Sequence, residues 1–171
     1  RGLDTGLVGW FGQRIIIIAA DYSHGRRKDL NTNVGRELPL HATAAGKALL
    51  VQIPAIRRKA LLEHYAFTPL TPRAVTSRSA LERDLAQVRR DGFAVNPGEH
   101  LAYVHGAAAP LELPGPAGGC FALMASSHRQ DLPAEQLPAL GRLLAARAAM
   151  LRGQWLLRWT DGAPGAAAAI G

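Results

Sequence analysis

The stretch Leu38–Leu50, LPLHATAAGKALL, decides how the rest of the chain is read. Ala48, Leu49 and Val51 carry a helical apolar pattern, yet the small residues Ala44, Ala45 and Gly46 stand where that helix opens, directly after Thr43. Threonine is a good N-cap because its hydroxyl accepts a backbone N–H of the first turn. A short helix therefore starts here and ends before Pro54, with no bulky side chain over its first amides. Two readings of that start stand side by side. The amides of Ala45 and Gly46, at the positive end of the helix dipole, hold an anion such as a carboxylate, or the cap is ordinary and the alanines serve close packing.

Upstream, GWFGQRIIIIAAD at Gly9–Asp21 places four isoleucines in a row. Their β-branched side chains pack well on a pleated surface, so this is a buried strand, paired through a turn at Gly12 and Gln13 with the apolar residues before it. Arg27–Val34 is expected to add a third strand. Downstream, Ile56–Tyr65 repeats apolar residues at helical spacing, and TPLTPRAVTSR is a loop by its prolines and small polar residues. Ser79 stands three residues before Glu82, the spacing of a capping box, for a helix whose face is Leu81, Leu85 and Val88 and whose stop is Gly92. Strands follow at Phe93–Asn96, Val104–Pro110 and Cys120–Ser126, the last two joined through LPGPAGG. Leu137, Leu140, Leu144, Ala148, Leu151 and Trp155 make the stripe of a final helix, with Arg142 and Arg152 off it and Pro138 in or near its first turn. Beyond Asp161 the tail GAPGAAAAIG has too little apolar bulk to pack and is expected to be flexible. Strands, helices, strands and a helix describe an α+β domain around a mainly antiparallel sheet, with no nucleotide-binding βαβ unit.

Composition narrows the function classes. The chain has 171 residues, enough for one domain with its own core. Its single cysteine, Cys120, cannot close an internal disulfide and reads as a core thiol in a strand. No apolar run reaches a membrane-spanning length and no secretory leader is visible, so a cytoplasmic location is expected; a start at Arg1 suggests a fragment. The net charge of +7 comes from arginines dispersed along the chain, with GRRKD at Gly25–Asp29 the nearest thing to a basic run. Dispersed charge is a solvated surface rather than a nucleic-acid footprint. Nothing supplies a nucleophile with a base and an orienting group. The six histidines are scattered; His100 and His105 could meet a metal with Glu99, or stand as plain surface residues. No cofactor is expected.

GRELPLHATAAGKALL at Gly35–Leu50 and LTPRAVTSRSALERDLAQVRRDGFAV at Leu70–Val95 closely resemble the effector-binding domain of IclR-type bacterial transcription regulators. The likeness continues more loosely through GEHLAYVHGAAAPL and GGCFALMASSHR into the final helix. The resemblance implies a GAF-like α+β fold with a six-stranded sheet flanked by helices, spanning residues 1–160 with 161–171 as the tail. It implies a small-molecule pocket on one face, assembly as a homodimer or homotetramer, and DNA binding by a separate N-terminal winged helix-turn-helix domain that this chain does not contain. Carried over by position, the pocket includes the backbone amides of Ala44 and Ala45, Asn96 where the family often has an acid, Val104 and Gly106 of the next strand, Ala125 and Ser127 of the last strand, and Leu30 as an apolar wall. Asn96 in place of an acid removes a charge, and Gly106 with Ala125 enlarges the site, so a bulkier or more apolar effector than a two- or three-carbon oxo acid is expected. The function implied is sensing of an organic acid or aromatic metabolite to control transcription, without catalysis. Two other readings stand beside it: a small enzyme using His100 or His105 as base, and a dimerisation module whose pocket is filled by its own side chains.

Overall fold

A computed structural model describes residues 2–12, 14–22, 33–114 and 119–161. Leu30, the turn residue Gln13, most of the strand expected at Arg27–Val34 and the C-terminal tail lie outside the described residues.

Strands β1 (Asp4–Phe11) and β2 (Arg14–Asp21) form the expected hairpin, with Gly12 at φ 61° in its turn. Ile15 and Ile17 are fully buried while Ile16 and Ile18 are half-buried, so the period-two pleat splits the isoleucine run between two faces. Helices α1 (Ala44–Leu50), α2 (Ala55–Glu63) and α3 (Arg78–Asp91) follow, then β3 (Ala94–Pro97), β4 (Val104–Leu113), β5 (Gly119–His128), a 3₁₀ turn at Ala134–Gln136 and α4 (Leu137–Asp161). The sheet order is β2-β1-β5-β4-β3, antiparallel throughout. It has five strands among the described residues, against the six expected. Along the outer edge of β2 runs Gly35–Leu38, where Gly35 N donates to Ile17 O at 2.8 Å and Leu38 N donates to Ile15 O at 3.0 Å. Only Glu37 registers as an isolated bridge, to Ile16, because Gly35, at φ 86°, turns the chain just before it.

The sheet separates two cores. One joins Val8, Ile15, Ile17, Ala108, Ala122 and Met124 to Leu49 and Leu50 of α1 and Leu81 and Leu85 of α3. The other joins Ala107, Ala109, Leu111 and Ala125 to Leu137, Leu140, Leu144 and Ala148 of α4. Burial of each large aliphatic side chain contributes about 1.5 to 3 kcal/mol, so both faces hold the sheet. The expected stripe of α4 is buried as far as Ala148. Leu151 is 38 % exposed and half-buried Trp155 donates through Nε1 to Pro114 O at 2.9 Å, so the helix leaves the sheet in its later turns. Pro138 sits in the first turn, where its missing N–H has no helical partner to lose.

The cap of α3 lies two residues earlier than the capping-box spacing suggests. Ser77 is the extended N-cap and its Oγ accepts from Ala80 N at 3.2 Å, while Ser79 is already helical. Glu82 does not reach back to the cap because buried Arg58 of α2 engages it, with Nε 3.1 Å from Oε1. Gly92 ends the helix at φ 79°, as expected from sequence. Cys120 is half-buried rather than sealed in the core.

Candidate functional site

Between α1 and the sheet lies a cavity of about 60 Å³. Its walls come from six stretches of the chain. Leu38 belongs to the segment entering α1, and Thr43, Ala44 and Ala45 open the helix. Asn96 belongs to β3, and His100 and Leu101 to the β3–β4 loop. Val104, Gly106, Met124 and Ser126 face in from β4 and β5, with Ala107 and Ala125 touching it as their neighbours.

Thr43 is the N-cap the sequence predicts. Its Oγ1 accepts from Gly46 N at 3.0 Å and donates to Pro39 O at 2.7 Å. This corrects the anion cradle drawn from Ala45 and Gly46, since the Gly46 amide is already used. The glycine is there for a different reason: a Cβ on it would stand 2.7 Å from the Leu40 carbonyl carbon and 2.8 Å from its Cα, which no real side chain tolerates. Among the described residues, the amides of Ala44 and Ala45 have no hydrogen-bond acceptor and border the cavity.

Asn96 lines the cavity but is largely committed to holding its wall. Its Oδ1 accepts from Gly98 N at 3.0 Å and Glu99 N at 2.7 Å, and its Nδ2 donates to Ala42 O at 3.3 Å. One side chain thus fastens the β3–β4 loop to the entry of α1. Thr71 Oγ1 adds bonds to Gly98 O and Glu99 O, both at 2.9 Å. Glu99 turns away from the cavity to the ammonium of Lys47, which lies 2.7 Å from both its oxygens and from Asp84 Oδ2. Burial pushes the Glu99 carboxyl up, and the Lys47 charge opposes that shift.

The last strand requires a correction. Ser127 is buried, but on the α4 side of the sheet, where it pairs with His105 and its Oγ donates to Gly2 O at 3.2 Å. It does not border the cavity. Ser126 does, opposite Gly106, and its buried Oγ has no hydrogen-bond partner. A one-residue offset on a strand exchanges faces, which is why the positional carry-over selected the wrong serine. By the same alternation the side chain of Ala125 packs in the α4 core, so it offers the cavity backbone. At Gly106 a Cβ would stand 2.9 Å from Ala125 O and 3.1 Å from Ser126 Cβ, so the glycine permits the close approach of β4 to β5 at the cavity wall.

The two histidines part company in the same way. His100 lines the cavity, while His105 lies on the α4 face with Nδ1 2.9 Å from Leu132 O. They cannot share a metal with Glu99, and the described residues hold no group of three potential ligands. Burial pushes His100 down, helped by the charges of Arg36 and His41. His41 is buried, with Nδ1 2.8 Å from Tyr65 Oη and Nε2 3.0 Å from Thr68 O, and burial lowers it as well. Sequence reasoning missed Leu38, Leu101, Met124 and Ser126 as lining residues. For Met124 and Ser126 the signal was present: they alternate with Ala122 on one strand face.

Residues 7–112, more than half of the chain, match the family model described as the bacterial transcriptional regulator IclR C-terminal domain. The chain belongs to the IclR family. Its relatives are transcriptional regulators rather than enzymes. It is 41 % identical over 80 residues to the HTH-type transcriptional regulator XynR of Escherichia coli K12, covering 47 % of this chain and 32 % of XynR. The chain thus spans about a third of that relative's length. Among solved structures, the Thermotoga maritima IclR matches with a TM-score of 0.80 at 21 % identity, over 90 % of this chain and 62 % of that one, a likeness of fold. The inducer-binding domain of a PobR double mutant from Acinetobacter, in complex with 3-hydroxybenzoic acid, matches with a TM-score of 0.76 at 25 % identity, over 88 % and 87 % of the two chains. No helix among the described residues of this IclR-family domain is long and apolar enough to cross a membrane.

Proposed function

We propose that this domain is the effector sensor of a transcription regulator, taking a small organic or aromatic acid into the cavity between α1 and the sheet. The reading rests on one observation above others: a cavity in which the buried Ser126 hydroxyl has no protein partner and the first amides of α1 are open. Polar groups buried without partners are costly, so a ligand that satisfies them stabilises the fold. The site on this reading comprises Ala44, Ala45, Asn96, Val104, Gly106, the backbone of Ala125, and Ser126 in place of Ser127. DNA binding belongs to an N-terminal domain outside this chain, and pairing of domains as a dimer or tetramer carries the signal to it. A dimerisation module with a filled pocket fits less well, because the cavity holds free space.

That space is small beside the roughly 300 to 1,000 Å³ of pockets for drug-sized ligands. Short hydroxy acids enter as it stands, and an aromatic acid requires a wall to move. Met124 is the adaptable wall, since a thioether side chain refits at little cost. Thermal-shift measurements with lactate, 2-oxobutyrate and 3-hydroxybenzoate test the reading. Saturation at a hundred times the dissociation constant raises the melting temperature by about 5 to 10 °C. Ala45→Pro, which deletes one amide, removes the response. Unchanged melting with all three acids at high concentration refutes the sensor.

A further inference from the structure

His100 is the only titratable side chain among the described residues lining the cavity. We propose that it supplies the positive charge for the ligand, so that this site takes up an anion together with a proton; the inference rests on the effector-site reading above.

The groups around the imidazole all bear on this. From the segment before α1 it faces the guanidinium of Arg36 and the ring of His41. Arg36 lies outside the cavity lining, and its Nε is buried without a hydrogen-bond partner. Its chain neighbour Glu99 offers no countercharge, because Lys47 of α1 and Asp84 of α3 complete that ion cluster away from the cavity. β3 presents the neutral Asn96, and β4 and β5 present Val104, Gly106, Met124 and Ser126. On β1, Asp4 pairs with Ser126 and is buried with interactions of its own.

In the empty site, burial, helped by the Arg36 charge, holds the His100 ring towards its neutral form. A carboxylate within a few ångströms reverses the balance, because an opposite charge in a poorly solvated space favours the imidazolium. Between the two midpoints each binding event takes up a proton. Affinity is greatest below the free-site midpoint and falls as pH rises through the window. The limit is about tenfold per pH unit for one linked proton. The absence of an acid at position 96 fits, since a carboxylate there would neutralise His100 before any ligand arrived.

Calorimetric titration with 3-hydroxybenzoate and with lactate, near pH 7 in buffers of different ionisation enthalpy, counts the protons. The expected result is uptake of up to about one proton per site, with affinity declining from about pH 6 to 8. His100→Gln retains weaker binding with no uptake, which also separates His100 from His41. Binding without uptake in the wild-type domain overturns the proposal and leaves the effector site standing, and uptake that persists in His100→Gln overturns it too. Binding of neither acid overturns both. Should the variant fold poorly, NMR titration of the wild-type His100 ring decides: its midpoint rises on adding 3-hydroxybenzoate, and an unmoved midpoint removes the role.

Discussion

The two faces of the sheet treat the same residue types differently. On the α4 face, Ser127 donates to Gly2 O and His105 Nδ1 is held by Leu132 O, while His105 Nε2 is buried without a partner in a packed core. On the α1 face, Ser126 is left unpaired and His100 looks into free space. The contrast shows that polarity alone does not mark a candidate site, nor does a missing partner; Ser126 differs from His105 in having its unsatisfied group beside free space.

The comparison breaks most strongly at Lys47. Lys47→Met strands the buried Glu99 without its partner and costs about 3 to 5 kcal/mol in chemical denaturation, and loosening the β3–β4 loop also weakens acid binding. The next largest effect sets one face against the other through glycine. A Cβ at Gly46 meets the Leu40 backbone, whereas one at Gly141 meets the Phe93 ring. A ring can turn and a backbone cannot, so Gly46→Ala costs more than Gly141→Ala, with both within about 1 to 3 kcal/mol. A smaller melting-temperature loss for Gly46→Ala contradicts the assignment of that close contact.

The serine pair sharpens the contrast. Ser127→Ala loses a made bond and costs about 1 kcal/mol, whereas Ser126→Ala removes an unpaired hydroxyl and leaves stability nearly unchanged. The order reverses for ligand: Ser126→Ala reduces the thermal shift given by hydroxy acids and Ser127→Ala does not. Equal effects on binding would merge the two faces.

The smallest effect is the pH dependence of the unliganded fold. His41 and His100 are held below the ordinary histidine value, chiefly by burial, so the unfolded chain binds more protons in this window. Their contribution to stability is therefore full above the unfolded value and is lost as pH falls through it towards the folded values. Melting temperature declines on acidification from about pH 7.5 to 5.5, and less steeply in His41→Gln; a rise on acidification contradicts the sign.

Much of the fold was legible because its signals are local. The isoleucine run, Thr43 before small residues, Gly92 after the α3 stripe and the leucines of α4 each specify an element from nearby spacing alone. The capping of α3 was misread because Ser77 and Ser79 both satisfy the local rule, and only Arg58, arriving from α2 to bind Glu82, separates them. The lining of the cavity was legible at Ala44, Ala45, Asn96, Val104 and Gly106, which the structure brings to one cavity. It was misread at Ser127, a one-residue offset that exchanges faces, although Ser126 is the serine in phase with Ala122 and Met124.

The sequence by itself determined the element types, the start of α1 and the family, because these depend on spacing and on residue identity within short windows. Only the tertiary structure decided which polar groups remain unsatisfied. Gly46 N is spent on Thr43, Asn96 on the loop, and Glu99 on Lys47, while Ser126 and His100 are left over. The physical reason is that a hydrogen bond needs a partner within about 3 Å, and for Glu99 and Ser127, and for the Asn96 bond to Ala42, that partner lies dozens of residues away in the chain.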